Sequence, residues 1–133
     1  MPYSFLEHTA DVRMKVEDGT LPGLFVQALL GMFAFMHPTK RKVKVMRHII
    51  VRSSDSTALL VDFLNEVLYL AQSNKETYDS IHFNKLVQNE LRAQLNGYKA
   101  ASFGEDIKAV TYHEAKITRN NKKGWRAQII FDI

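Results

Sequence analysis

Hydrophobic residues near the start of the chain alternate with polar ones. Val12, Met14 and Val16 fall on one side of an extended segment, and Asp11, Arg13 and Lys15 fall on the other. This pattern predicts a strand that opens at Asp11, directly after the polar group Glu7-His8-Thr9. Glu17-Asp18-Gly19 then turns the chain. Thr20 is placed to cap a helix, and Pro22 suits a first turn, where its missing donor is not needed. Leu21, Leu24, Phe25, Ala28, Leu29, Met32, Phe33 and Met36 recur at helical spacing, and His37-Pro38 stops the helix. A stripe of Met and Phe at that spacing reads as core rather than as a ligand pocket.

Beyond it, Thr39 to Lys44 reads as a short basic connector. Val43, Val45, Ile49 and Val51 then mark one face of a strand, which Arg47 interrupts. Ser53 to Thr57 is a helix-start cluster. It leads into a second amphipathic stripe of Leu59, Leu60, Phe63, Leu64, Val67, Leu68 and Ala71, with Asp62, Asn65 and Glu66 off it on a solvated face. A hairpin follows, with Ile81 to Val87 as one arm, a turn at Gln88-Asn89-Glu90, and Leu91 to Leu95 returning until Asn96-Gly97. Tyr98 to Asp106 is poorly patterned and reads as a loop. A strand runs from Ile107 to Ile117 or Arg119, Asn120 to Gly124 is the strongest turn signal, and a last strand places Trp125, Ala127, Ile129 and Phe131 on one side.

The element order is therefore strand, helix, strand, helix, and about four strands. It predicts an α+β fold in one domain over residues 1–133. The simplest packing is a two-layer sandwich, in which two main helices cover one face of a mixed, largely antiparallel sheet.

Composition narrows the function classes. The 133 residues and a hydrophobic fraction of 46% suit one core. The chain has no cysteine, which excludes disulfides and thiolate metal sites and fits a cytoplasmic home. No apolar run is long enough to cross a bilayer, and the first residues lack the basic flank and apolar run of a secretory signal, so no membrane partner is expected. The formal charge of +4 is compatible with RNA or an acidic partner, and equally with an ordinary soluble protein.

The chemistry lies at the two ends. Asp11 opens the first predicted strand and Asp132 closes the last, each on the face opposite its strand's apolar set. If these strands pair antiparallel, the two carboxylates converge. Two such charges about 4 Å apart repel by about 4 kcal/mol at an effective dielectric near 20, and a proton or cation removes that cost. The α-carboxylate at Ile133 would add another oxygen. Such an all-oxygen set suits a hard ion such as Ca²⁺ or Mg²⁺, with Thr9 and the His8 ring supporting it from behind. Taken alone, terminal aspartates more often stay solvated. The histidines show no close-spaced zinc pair, and neither a Gly-rich phosphate loop nor a nucleophile elbow appears, so a self-contained enzyme is poorly supported.

Four segments carry a family resemblance. Glu7-His8-Thr9-Ala10-Asp11-Val12 resembles the opening signature of the archeases, and Thr57 to Tyr69 is similar to their second helix. Ile107 to His113 and Trp125 to Ile133 resemble their last two motifs. The matches keep their order over nearly the whole chain, and Asn74 to Phe103 matches least. The resemblance implies a cytoplasmic protein that is not itself an enzyme and assists the RtcB-type RNA ligase of tRNA splicing and RNA repair. It would promote guanylylation of the ligase and support multiple turnover, meeting tRNA halves only through the ligase. It also implies a divalent metal site on Asp11, Asp132 and Ile133, filled by Ca²⁺ in a crystal and by Mg²⁺ or Mn²⁺ in a cell. Lys108 is the candidate contact to ligase or nucleotide. Three other readings stay open on the residues alone. One is a basic RNA-binding module or RNA chaperone resting on Lys40, Arg41, Lys42, Lys122 and Lys123; another is a metal-dependent phosphate-ester hydrolase built on the same aspartates; the third is a purely structural adaptor with an empty acidic tip.

Overall fold

A computed structural model describes residues 2–7, 11–122 and 124–133, with the backbone alone for residues 6 and 7. The strands are β1 (Tyr3–Glu7), β2 (Asp11–Asp18), β3 (Pro38–Arg52), β4 (Glu76–Val87), β5 (Glu90–Phe103), β6 (Ala109–Asn120) and β7 (Gly124–Asp132), and the helices are α1 (Leu21–Met36) and α2 (Ser56–Asn74). The α+β class and the two main helices are as the pattern predicts. The strands, however, divide between two antiparallel sheets, in the orders β1-β2-β7-β6 and β3-β5-β4, where one mixed sheet was expected.

Both helices touch both sheets, and the reason is the breadth of their apolar faces. In α1, Phe35 meets Phe131 of the first sheet with ring centroids 6.0 Å apart. On the same helix, Phe25 meets Phe83 and Phe33 meets Tyr78 of the second sheet. A helix with a narrow stripe satisfies one layer, whereas these faces are wide enough for two. The sheets bury their inward positions, among them Met14, Ile129 and Phe131 in the first and Ile49, Leu91 and Leu95 in the second.

Helix ends follow local chemistry. Thr20 caps α1 by accepting from the Gly23 N–H at 3.0 Å, and Asp55 caps α2 by accepting from the Ala58 N–H at 2.8 Å. His37 and Lys75 close the two helices in the left-handed region, at φ 48° and 53°.

Three segments differ from the sequence reading. Tyr3–Glu7, not read as a strand, pairs along β2. Thr39 to Lys44 belongs to β3, with register shifts where it meets β5, so this basic run is bulged strand rather than connector. The return arm of the hairpin does not stop at Asn96-Gly97. It continues to Phe103, because Gly97 lies where β4 crosses closely: a Cβ there would stand 1.9 Å from the Thr77 carbonyl oxygen.

The second sheet also holds a buried acid. Glu76 is 1% exposed and accepts two hydrogen bonds from Arg47, at 2.9 and 2.8 Å, and one from the Tyr78 hydroxyl at 2.7 Å. The Lys99 ammonium lies 3.2 Å away. Hydrogen bonding from Arg47 is the main reason that the Glu76 carboxyl is held down at about 2. Burial, with Glu76 beside it, pushes the Tyr78 hydroxyl well above the ordinary phenol range. Arg47, which broke an apolar face in the sequence, is there to meet this carboxylate.

Candidate metal centre

β2 and β7 are central in their sheet and antiparallel, and their register sets Asp11 directly opposite Asp132. Alternation explains why both side chains leave the core. Val12 and Phe131, the next residue on each strand, are buried against the helices, so the aspartates project from the other face. Directly opposed residues in such a ladder have Cα atoms about 4.5–5.5 Å apart. The start of β2 and the end of β7 thus meet at one tip, as the strand pattern anticipates, while Pro2 lies at the other end of the sheet, where its carbonyl oxygen accepts from the Glu17 N–H.

A third strand frames the tip. Ala109 of β6 pairs with Asp132 from the other side, and the Lys108 N–H donates to the Asp132 carbonyl oxygen at 2.8 Å. The Lys108 side chain is exposed beside this contact. β6 is an edge strand, and α2 covers its free edge. The Asn65 side-chain amide donates to the Val110 carbonyl at 2.8 Å and accepts from the Val110 N–H at 2.9 Å, so it stands in for a further strand. Gln72 donates to the Ile107 carbonyl at 2.7 Å, and Thr57 accepts from the Ile117 N–H at 3.2 Å. Asn65 looked like solvated surface in the sequence; its place beside the apolar stripe, within reach of a strand edge, was not legible there. Its effect is to fix Val110, and through it the strand that carries Lys108.

The electrostatics of the tip favour a cation. Asp11 is partly exposed, yet its Oδ1 is buried and has no hydrogen-bond partner, the only such side-chain atom among the described residues. An anionic oxygen left in that state is costly unless something positive reaches it. Asp132 and Ile133 are exposed at the same end, with Ile133 37% accessible. Among the described residues no cluster of three or more His, Cys, Asp or Glu side chains could hold a metal; the oxygens those residues offer at the tip are those of the two aspartates and of the main chain. That donor set, all oxygen and anionic, fits a hard divalent ion. His8 and Thr9, expected to support the site, lie outside the described residues.

Two residues along β2, Arg13 shares the outer face and pairs with Glu114. Glu114 stands at φ 55° in an irregular stretch where β6 takes six residues, Thr111 to Lys116, to span the three from Ile130 to Gln128 on β7. Sequence periodicity gave no sign of that bulge.

Comparison with known proteins adds a family. Residues 3–133 match the model of the archease protein family. The chain belongs to the archease family. A Methanosarcina acetivorans protein archease is 35% identical over 145 residues, covering 98% of this chain and 95% of the relative. Two solved structures share the archease fold at 22% sequence identity. The crystal structure of an archease, possible chaperone, from Thermotoga maritima gives a TM-score of 0.71 over 96% of this chain and 94% of that one. The solution structure of Methanobacterium thermoautotrophicum protein 1598 gives 0.74 over 99% of each. Among the described residues of this archease, no helix is long and apolar enough to cross a membrane.

Proposed function

We propose that this chain is a protein cofactor of an RtcB-type RNA ligase, acting in tRNA splicing and RNA repair. Asp11, Asp132 and a main-chain oxygen of Ile133 would hold a divalent cation, Ca²⁺, Mg²⁺ or Mn²⁺, at the tip offered to the ligase. Family membership supports a role exercised on another protein, and the Thermotoga relative is described as a possible chaperone. The metal reading is carried by one observation: the buried, partnerless Asp11 Oδ1 on a strand position facing a second aspartate.

When bound, a divalent ion supplies charge neutralisation for phosphoryl chemistry, which guanylylation of a ligase by a nucleoside triphosphate requires. The chain's own residues would do the positioning. The β2–β7 ladder keeps both carboxylates on one face, and the Lys108 N–H and Ala109 pairing hold Asp132 from β6. The exposed Lys108 ammonium would meet a phosphate or an acidic group of the ligase. The RNA would be met only through the ligase.

The test is a guanylylation and ligation assay with the RtcB-type ligase in excess over this chain. The expected result is repeated ligase turnover with the wild type and its loss with Asp11→Ala and with Asp132→Ala. Full stimulation by both variants, each folded, would refute the metal role. Absence of stimulation by the wild type would refute the ligase partner.

A further inference from the structure

The outer face of the β1-β2-β7-β6 sheet carries a groove of about 460 Å³. Its floor is built from cross-strand rows. In one row, Lys15 of β2 and Lys116 of β6 both register against Gln128 of β7. Neighbouring strands lie about 4.8 Å apart, which puts the two lysine backbones about 10 Å apart with their side chains on one face. That spacing lets both ammonium groups close on a single small ligand.

The charges in the groove sort cleanly. Glu17 is paired with Arg126 at 3.4 Å, and Glu114 is paired with Arg13. Lys15 and Lys116 are exposed and form no ion pair among the described residues. Between them, the Gln128 side-chain amide is oriented by a 3.3 Å hydrogen bond to the Glu114 carbonyl. Ser4, opposite Lys15, and Thr118, one row along, add hydroxyls to the lining. Two like charges held in one row repel each other, and an anion between them relieves that repulsion. A phosphoryl group, with three oxygens and more charge than a carboxylate, can engage both lysines and the amide and hydroxyl donors as well.

We propose that this groove is a phosphoryl-binding site, with Lys15 and Lys116 as its clamp. The inference does not depend on the metal reading. Lys15 lies four residues from Asp11, and Gln128 lies four from Asp132, which is about 13 Å along the strands.

The experiment is isothermal titration of the full chain with inorganic tripolyphosphate, in EDTA at 0.15 M salt. Parallel titrations use GTP and a short single-stranded RNA without terminal phosphates. The expected result is measurable tripolyphosphate affinity that falls at least tenfold in Lys15→Gln/Lys116→Gln. The control Lys42→Gln/Lys122→Gln, which removes the same charge elsewhere, should stay within twofold of wild type. GTP binding above RNA assigns the phosphoryl source to a nucleotide, and RNA above GTP assigns it to a nucleic-acid backbone. Absence of tripolyphosphate binding by the wild type, or equal losses in the two double variants, overturns the site. Because EDTA and the missing ligase remove the tip from the measurement, such a failure leaves the cofactor proposal standing.

Discussion

Asp11 and Asp132 face each other across a strand pair, and the buried Asp11 Oδ1 has no donor among the described residues. Without a cation this arrangement costs free energy, so relieving it should stabilise the protein. In EDTA, Asp132→Asn is expected to raise Tm by about 4 °C for each kcal/mol of repulsion removed. Millimolar Ca²⁺ should raise the wild-type Tm and leave the variant unmoved, as calorimetry would show; a Ca²⁺ response of equal size in both would contradict the assignment. Glu76 makes a different residue-scale prediction. Its folded pKa, about 2, lies below its unfolded value near 4.5, so its contribution is complete above about pH 5 and is lost as pH falls through that window. Glu76→Gln should cost about 2–3 kcal/mol at pH 7 and little near pH 2, measured by urea unfolding at both pH values. The aspartate pair was legible in the sequence, because alternation and antiparallel pairing suffice to oppose two strand ends. The Glu76 cluster was not: the only hint was Arg47 standing in an apolar position, and its partner lies 29 residues away on another strand.

At the scale of elements, the tip depends on β6 keeping its place, and β6 depends on α2. Asn65→Ala removes both hydrogen bonds to Val110 and leaves a strand edge without partners. The expected cost is about 2 kcal/mol. Hydrogen exchange at the Val110 amide should accelerate more than exchange in β3 or β5; uniform acceleration throughout would show that Asn65 acts on global stability alone. Both helices and most strand cores were readable from periodicity, since caps, stops and spacing agreed along each. The misreadings share a cause. Thr39 to Lys44 reads as a connector because four basic residues hide the extended backbone of an edge strand. Gly97 reads as a terminator because a glycine demanded by a close backbone crossing looks, in sequence, like one demanded by a turn. Counting one apolar stripe per helix led to a single sheet, although the breadth of those stripes already allowed two.

At the scale of the molecule, the two sheets have separate tasks. The second sheet, with its buried Glu76 and close crossing at Gly97, anchors the helices. The first carries both candidate sites on its outer face, the aspartate tip at one end and the lysine row about 13 Å along it. A tip built on two central strands is stiff, which suits the proposed presentation of charge to a partner. The family was recognisable because its motifs are runs of consecutive residues in order along the chain; the groove left no motif, since its residues come from four strands and meet only through register. The most direct measurement for the account is an anomalous difference map from crystals soaked in Mn²⁺. The account predicts one peak within about 2.1–2.5 Å of carboxylate oxygens from both Asp11 and Asp132. A peak elsewhere, or a map with none while the two carboxylates point apart, would contradict it.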